Sequence, residues 1–99
     1  MHCSIALQIL PQYVDEKKLL EVVDKVIRYL ESQVSPENIT VSPFETTLQG
    51  DYDDLMALLK KAIQLAGEDG VEIFANVKVS YCEKGDVLTI EDKLSPYRD

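Results

Sequence analysis

Two runs of strict alternation stand near the two ends of the chain, and a helical pattern lies on the inner side of each. In "CSIALQIL", Cys3, Ile5, Leu7 and Ile9 share one face. Ser4, Ala6, Gln8 and Leu10 share the other, because strand side chains alternate with a period of two. Pro11 ends this run. Val71 to Cys82 repeats the pattern at greater length, with Ile73, Ala75, Val77, Val79 and Tyr81 set against Phe74, Asn76, Lys78, Ser80 and Cys82. Between them, Leu19, Val22, Val23, Val26, Ile27 and Leu30 recur at helical spacing, as do Leu55, Leu58, Leu59, Ala62, Ile63 and Ala66.

Punctuation sets the boundaries. Asp15 is a plausible N-cap for a first helix from about Asp15 to about Ser32, broken by Ser35, Pro36, Glu37 and Asn38. Short strands follow at Ile39–Ser42 and Glu45–Gln49, bent at Pro43 and Phe44. Asp51 caps the second helix, Asp53 and Asp54 favour its first turn, and Gly67 or Gly70 ends it. Gly85 makes a turn, Val87–Ile90 reads as a brief fifth strand, and the tail reads as a helical turn before Pro96. The order β-α-β-β-α-β predicts an α+β, ferredoxin-like sandwich over residues 1–99 as a single domain. Its antiparallel sheet carries two helices on one face, and a short C-terminal strand is added.

Helices can cover only one face, and the apolar sets Ile5/Leu7/Ile9 and Ile73/Val77/Val79 mark it. The open face then carries Ser4, Ala6 and Gln8 beside Phe74, Asn76, Lys78 and Ser80. Thr47 and Gln49 join it if Leu48 points inward, with Thr46 at the bend. A parity shift at Pro43 would exchange the threonines, so the choice between them stays open. The face mixes amides and hydroxyls with Ala6, Leu10, Phe74 and Cys82, which leaves three readings: a solvated surface, a subunit interface or a small-molecule pocket.

Charge and motif content narrow the function. A net charge of -8 repels phosphate backbones, so nucleic acid is not an expected partner. No apolar run approaches the roughly 20 residues of a membrane helix. With no leader pattern at the N-terminus, a cytoplasmic location is expected. Hydrophobic residues at 45 % place the chain among globular proteins. Cys3 and Cys82 are too few for a disulfide scaffold or a four-thiolate metal site, and period-two alternation sets them on opposite faces. The acids after Gly50 lack the spacing of a calcium loop. His2 is the sole histidine, and neither a paired nucleophile and base nor a glycine-rich phosphate loop is present. No catalysis, metal or cofactor is expected.

The segments "CSIALQILP", "VSPFETTLQGDYDDLM", "FANVKVSY" and "GDVLTIEDKLSPYR", in that order, resemble the small thiamine-binding proteins of the YkoF-like group. The likeness runs from Cys3 to Arg98 and is most specific at "PFETT" followed by "GDYDDLM". It implies non-catalytic binding of thiamine, or its hydroxymethylpyrimidine part, for transport, storage or sensing. It also implies a homo-oligomer, a tetramer assembled through its sheets. The positions matching the motif are Thr46 and Thr47, and the sheet-face polar set is Gln8, Asn76 and Lys78. Phe44 offers a ring wall and Glu45 an acid for a thiazolium cation. Lys78 must point away from such a cation or pair with an acid such as Glu45. The alternative function is an ACT-like interaction domain whose sheet face only mediates self-assembly.

Overall fold

The computed structural model describes residues 2–98. Strand β1 (Cys3–Pro11) leads to helix α1 (Glu16–Gln33), strands β2 (Ile39–Val41) and β3 (Thr46–Gly50), helix α2 (Tyr52–Ala66), strand β4 (Ile73–Tyr81) and helix α3 (Ile90–Leu94). Short 3-10 turns occupy Pro36–Asn38 and Ser95–Tyr97. The four strands form one antiparallel sheet in the order β2-β3-β1-β4. This is the ferredoxin-like arrangement that the alternation of periods predicts.

The helix boundaries follow local chemistry. The Asp15 carboxylate accepts from the Lys18 N–H at 2.8 Å, satisfying a backbone donor that α1 leaves without an intrahelical partner. Asp51 does the same for Asp54 at 3.2 Å. Gly67 closes α2, and a Cβ there would sit 3.2 Å from the Val71 carbonyl oxygen. Gly70 then turns the chain at φ 81°, a left-handed conformation that glycine adopts at little cost. The two glycines thus divide the work of ending the helix and starting β4.

The core lies between the sheet and its two long helices. Cys3, Ile5, Leu7 and Leu48 meet Val22, Val26 and Leu30 of α1 and Leu55, Ala62 and Ala66 of α2. Burial raises the pKa of the Cys3 thiol, with nearby Asp51 adding to the effect. Cys3 pairs across the ladder with Tyr81, whereas Cys82 donates its N–H to His2, and both thiols are free.

Two features differ from expectation. Val77 and Val79 lie on the helix side, opposite Leu7 and Ile5, yet are 36 % and 51 % exposed. Edge strand β4 runs beyond the cover that the helices provide. The fifth strand does not form: residues 87–89 have no ladder partner, and Ile90 begins a helix. Thr89 Oγ1 accepts from the Asp92 N–H at 3.0 Å while Asp92 Oδ2 accepts from the Thr89 N–H at 2.9 Å. This reciprocal capping box outweighs the β-favouring side chains of Val87 to Ile90.

Candidate functional site

The register places the two threonines. Leu7 pairs with Thr46, Ala6 with Thr47 and Ile5 with Leu48. Leu48 is wholly buried, so Thr46 shares its helix side and is itself 6 % exposed. Thr47 turns to the open face between Ala6 and Thr40. No parity shift occurs, because a two-residue loop, Pro43–Phe44, closes the hairpin. Ser42 N–H donates to the Glu45 carbonyl at 3.0 Å, and the Ser42 hydroxyl donates to the same oxygen at 2.8 Å.

The short hairpin leaves a notch in the sheet. Pairing of β3 with β1 stops at Leu7, while β1 continues along β4 to Pro11. The Cys82 N–H donates to His2 and the Gln12 N–H donates to Glu72, so even-numbered positions of β1 turn their backbone toward β4. Odd-numbered positions turn toward β3. Ile9 is the first of these with no β3 residue opposite, and its N–H and C=O face the hairpin tip without a partner among the described residues.

A cavity of about 240 Å³ fills this notch on the helix side. Leu19, Leu20 and Val23 of α1 form one wall, Ile9 the floor, and Phe44 and Thr46 the opposite wall. The Thr46 hydroxyl makes no hydrogen bond to a described residue. No buried side-chain oxygen among the described residues is sealed off without a partner, so this one opens onto the cavity. Around the tip, a second cavity of about 320 Å³ is lined by Gln8, Phe44, Glu45, Asn76, Val77 and Lys78. There the Asn76 amide donates to Gln8 Oε1 at 3.1 Å. Lys78 lies 3.5 Å from Glu45, one of the two arrangements expected of it, but the lysine is 79 % exposed and such a contact adds little stability.

The structure therefore brings Gln8, Phe44 and Glu45 together with Thr46 on one side of the tip and with Asn76 on the other. Thr47 points to the face opposite Thr46, the open face it shares with Gln8 and Asn76, and lines a third cavity there, whose rim Glu45 also reaches. Sequence reading missed the Ile9 backbone edge, which only the register reveals. It also missed Leu20, whose signal was present: this leucine lies off the buried stripe of α1 and is 58 % exposed. His2 lies away from the notch, its Nδ1 2.8 Å from the Gly85 carbonyl oxygen. No cluster of metal-ligating side chains occurs among the described residues. No helix among them is long and apolar enough to cross a membrane.

A four-stranded ferredoxin-like sheet with a ring-sized notch at its hairpin tip defines a class of small α+β proteins suited to holding a small molecule. Within that class the chain belongs to the thiamine-binding protein family, whose model matches residues 5–98. It is 42 % identical over 97 residues to a UPF0045 protein of Clostridium perfringens, spanning 97 % of each. A Streptococcus pneumoniae crystal structure is 42 % identical with a TM-score of 0.78, covering 96 % of this chain and 99 % of that one. A Thermotoga maritima protein assigned provisionally to thiamine biosynthesis or salvage shares the fold, with a TM-score of 0.82 at 24 % identity over 99 % of this chain and all of that one. Membership points to a role in binding a small molecule, and neither the family's description nor the UPF0045 name is that of an enzyme.

Proposed function

We propose that the protein binds thiamine, or its hydroxymethylpyrimidine part, in the notch at the hairpin tip and releases it unchanged. The observation that carries this reading is the unpaired Ile9 edge beside the free Thr46 hydroxyl, in a largely apolar cavity that Gln8, Ser42 and Glu45 also line. A backbone N–H and C=O left unpaired call for a donor and an acceptor from elsewhere. An aminopyrimidine offers both on one edge, a ring nitrogen and an exocyclic amine. A dry cavity of about 150 Å³ takes a benzene ring, so about 240 Å³ accommodates a substituted pyrimidine between Leu20 and Phe44. Glu45 at the rim then lies where the thiazolium cation leaves the notch, with Gln8 and Asn76 beyond it.

The function that fits is transport, storage or sensing by a non-enzymatic, single-domain protein of the cytoplasm. We take it to act as a homo-oligomer, a tetramer of paired dimers. The unpaired edge of β4 supports the first pairing, and the apolar Leu10–Phe74 pair on the uncovered half of the open face supports the second. The competing reading, an ACT-like module that only assembles, has that same edge in its favour but leaves the notch unexplained.

Isothermal calorimetry separates the two. Wild type is expected to bind thiamine and hydroxymethylpyrimidine saturably. Thr46→Val keeps the shape and removes the hydroxyl, and should weaken binding by about 1–3 kcal/mol. Thr47→Val, on the other side of the sheet, should bind as wild type does. No heat with either ligand defeats the thiamine reading. Equal binding by Thr46→Val moves the site elsewhere.

A further inference from the structure

The open face carries a row of register partners across all four strands: Thr40 on β2, Thr47 on β3, Ala6 on β1 and Lys78 on β4. One step along β1, Ser4 lies opposite Ser80. Neighbouring strands stand about 4.8 Å apart, so the Ser4 and Thr47 hydroxyls border the methyl group of Ala6, with Ser80 one strand beyond on β4 and Thr40 one strand beyond on β2. The small alanine leaves a depression, and α3 stands beside it with Ile90, Lys93 and Leu94 as a wall. The cavity measures about 400 Å³.

Its polar groups are idle. The hydroxyls of Ser4, Thr40, Thr47 and Ser80 make no hydrogen bond to any described residue. Ser4 is 7 % exposed, and since no buried side-chain oxygen among the described residues is sealed without a partner, its hydroxyl must open onto the cavity. The charge is unusual as well. In a chain of net charge -8, two lysines line this cavity, and among the described residues Glu45 is the one carboxylate in its lining. Glu45 is offset by Lys78, and Lys93 has no ion-pair partner among the described residues.

We infer that this cavity is a second binding site, for the phosphate group of a small ligand. The hydroxyls of Ser4 and Thr47 beside Ala6, and the ammonium of Lys93, which has no ion-pair partner among the described residues, match the acceptor oxygens and the charge of a phosphate. A neutral polyol would leave Lys93 unused, and a cation would be repelled by it. The inference stands apart from the thiamine reading, because it rests on Ser4, Thr47 and Lys93, none of which lines the notch or the tip cavity, although Glu45 and Lys78 border both regions.

The test is an amide-shift titration of the isotope-labelled chain with inorganic phosphate and, in parallel, with phenyl phosphate. Saturable shifts are expected at Ser4, Ala6, Thr47 and Ile90. Lys93→Gln changes an exposed side chain with no bond to lose, and should weaken binding about tenfold, the loss of one charge-assisted hydrogen bond. Ser4→Ala should weaken it too, while Thr46→Val should titrate as wild type does. Saturation by the ester alone identifies a phosphorylated ligand; equal saturation by both identifies free phosphate. No saturable shift with either probe overturns the inference. So do shifts confined to other surfaces, or undiminished binding by both Lys93→Gln and Ser4→Ala.

Discussion

Gln49 lies on the open face, as its parity predicts, and yet it is closed to any ligand. It is 7 % exposed, and its amide is shared between three neighbours. Nε2 donates to Asn38 Oδ1 at 3.1 Å and to the Glu37 carbonyl at 3.3 Å, and Oε1 accepts the Ile90 N–H at 2.7 Å. One side chain therefore ties the turn before β2 to the start of α3. Gln49→Leu would fill the space but strand buried partners, and should cost about 1–3 kcal/mol in chemical denaturation. Amide exchange at Ile90 should quicken by more than exchange in β1; equal quickening would show a general loss of packing instead. The neighbouring threonines were half legible. Period two requires Thr46 and Thr47 to point apart, and the burial of Leu48 decides which goes inward, but only the two-residue turn at Pro43–Phe44 excludes a parity shift. The pairing of Gln8 with Asn76 follows from strand alternation, whereas the open Ile9 edge depends on where β3 stops, which no periodicity records.

At the scale of elements, β1, β3 and the two long helices follow from periodicity because each buries a face, and β4 keeps the same alternation although most of it is exposed. The C-terminal segment buries little, so local chemistry decides it. Ile90 is its buried residue, and Thr89 with Asp92 supplies the capping box. The tetrapeptide "TIED" carried this signal, and the β-propensity of Val87 to Ile90 masked it. Hydrogen bonds from the Thr89 backbone N–H, and then with its side chain, hold the Asp92 pKa below its ordinary value of 3.8. A lowered carboxylate pKa stabilises the folded state fully above the unfolded value, and the gain is lost as the pH falls through the folded one. Amide exchange of α3 should therefore rise as the pH drops below about 4, after correction for intrinsic rates. Thr89→Ala removes one arm of the box and should cost about 1 kcal/mol locally. An α3 that remains equally protected in Thr89→Ala and at low pH would show that Gln49 and Ile90 hold it without the cap.

At the scale of the molecule, the two edges of the sheet are unequal. β2 is three residues long and offers little to a partner, whereas β4 is nine residues long with its outer side bare. Long, flat, apolar edges recruit other strands unless they are blunted, and among the inner residues of β4 the only charge is Lys78. Even-numbered positions of β4 are bonded to β1, so Ile73, Ala75, Val77, Val79 and Tyr81 direct their backbones outward. In the proposed assembly a two-fold axis at Val77 would set that residue against its own copy, Ala75 against Val79 and Ile73 against Tyr81, so that every outward group would find a partner. The same axis faces Lys78 with Asn76 rather than with a second lysine. It also brings the neighbouring copy alongside the half-exposed valines and the Tyr52–Tyr81 ring pair that the chain's own helices leave uncovered. Val77→Pro removes only an outward N–H, a place where an edge strand tolerates proline. It should therefore separate the copies while far-ultraviolet circular dichroism stays native. Val79→Lys, which adds a second charge beside Lys78 at the seam, should act in the same direction without any backbone change. Sedimentation at micromolar concentration reads both variants against wild type. Wild type sedimenting at the mass of one chain would overturn the assembly, and both variants retaining the assembled mass would place it on a surface other than β4.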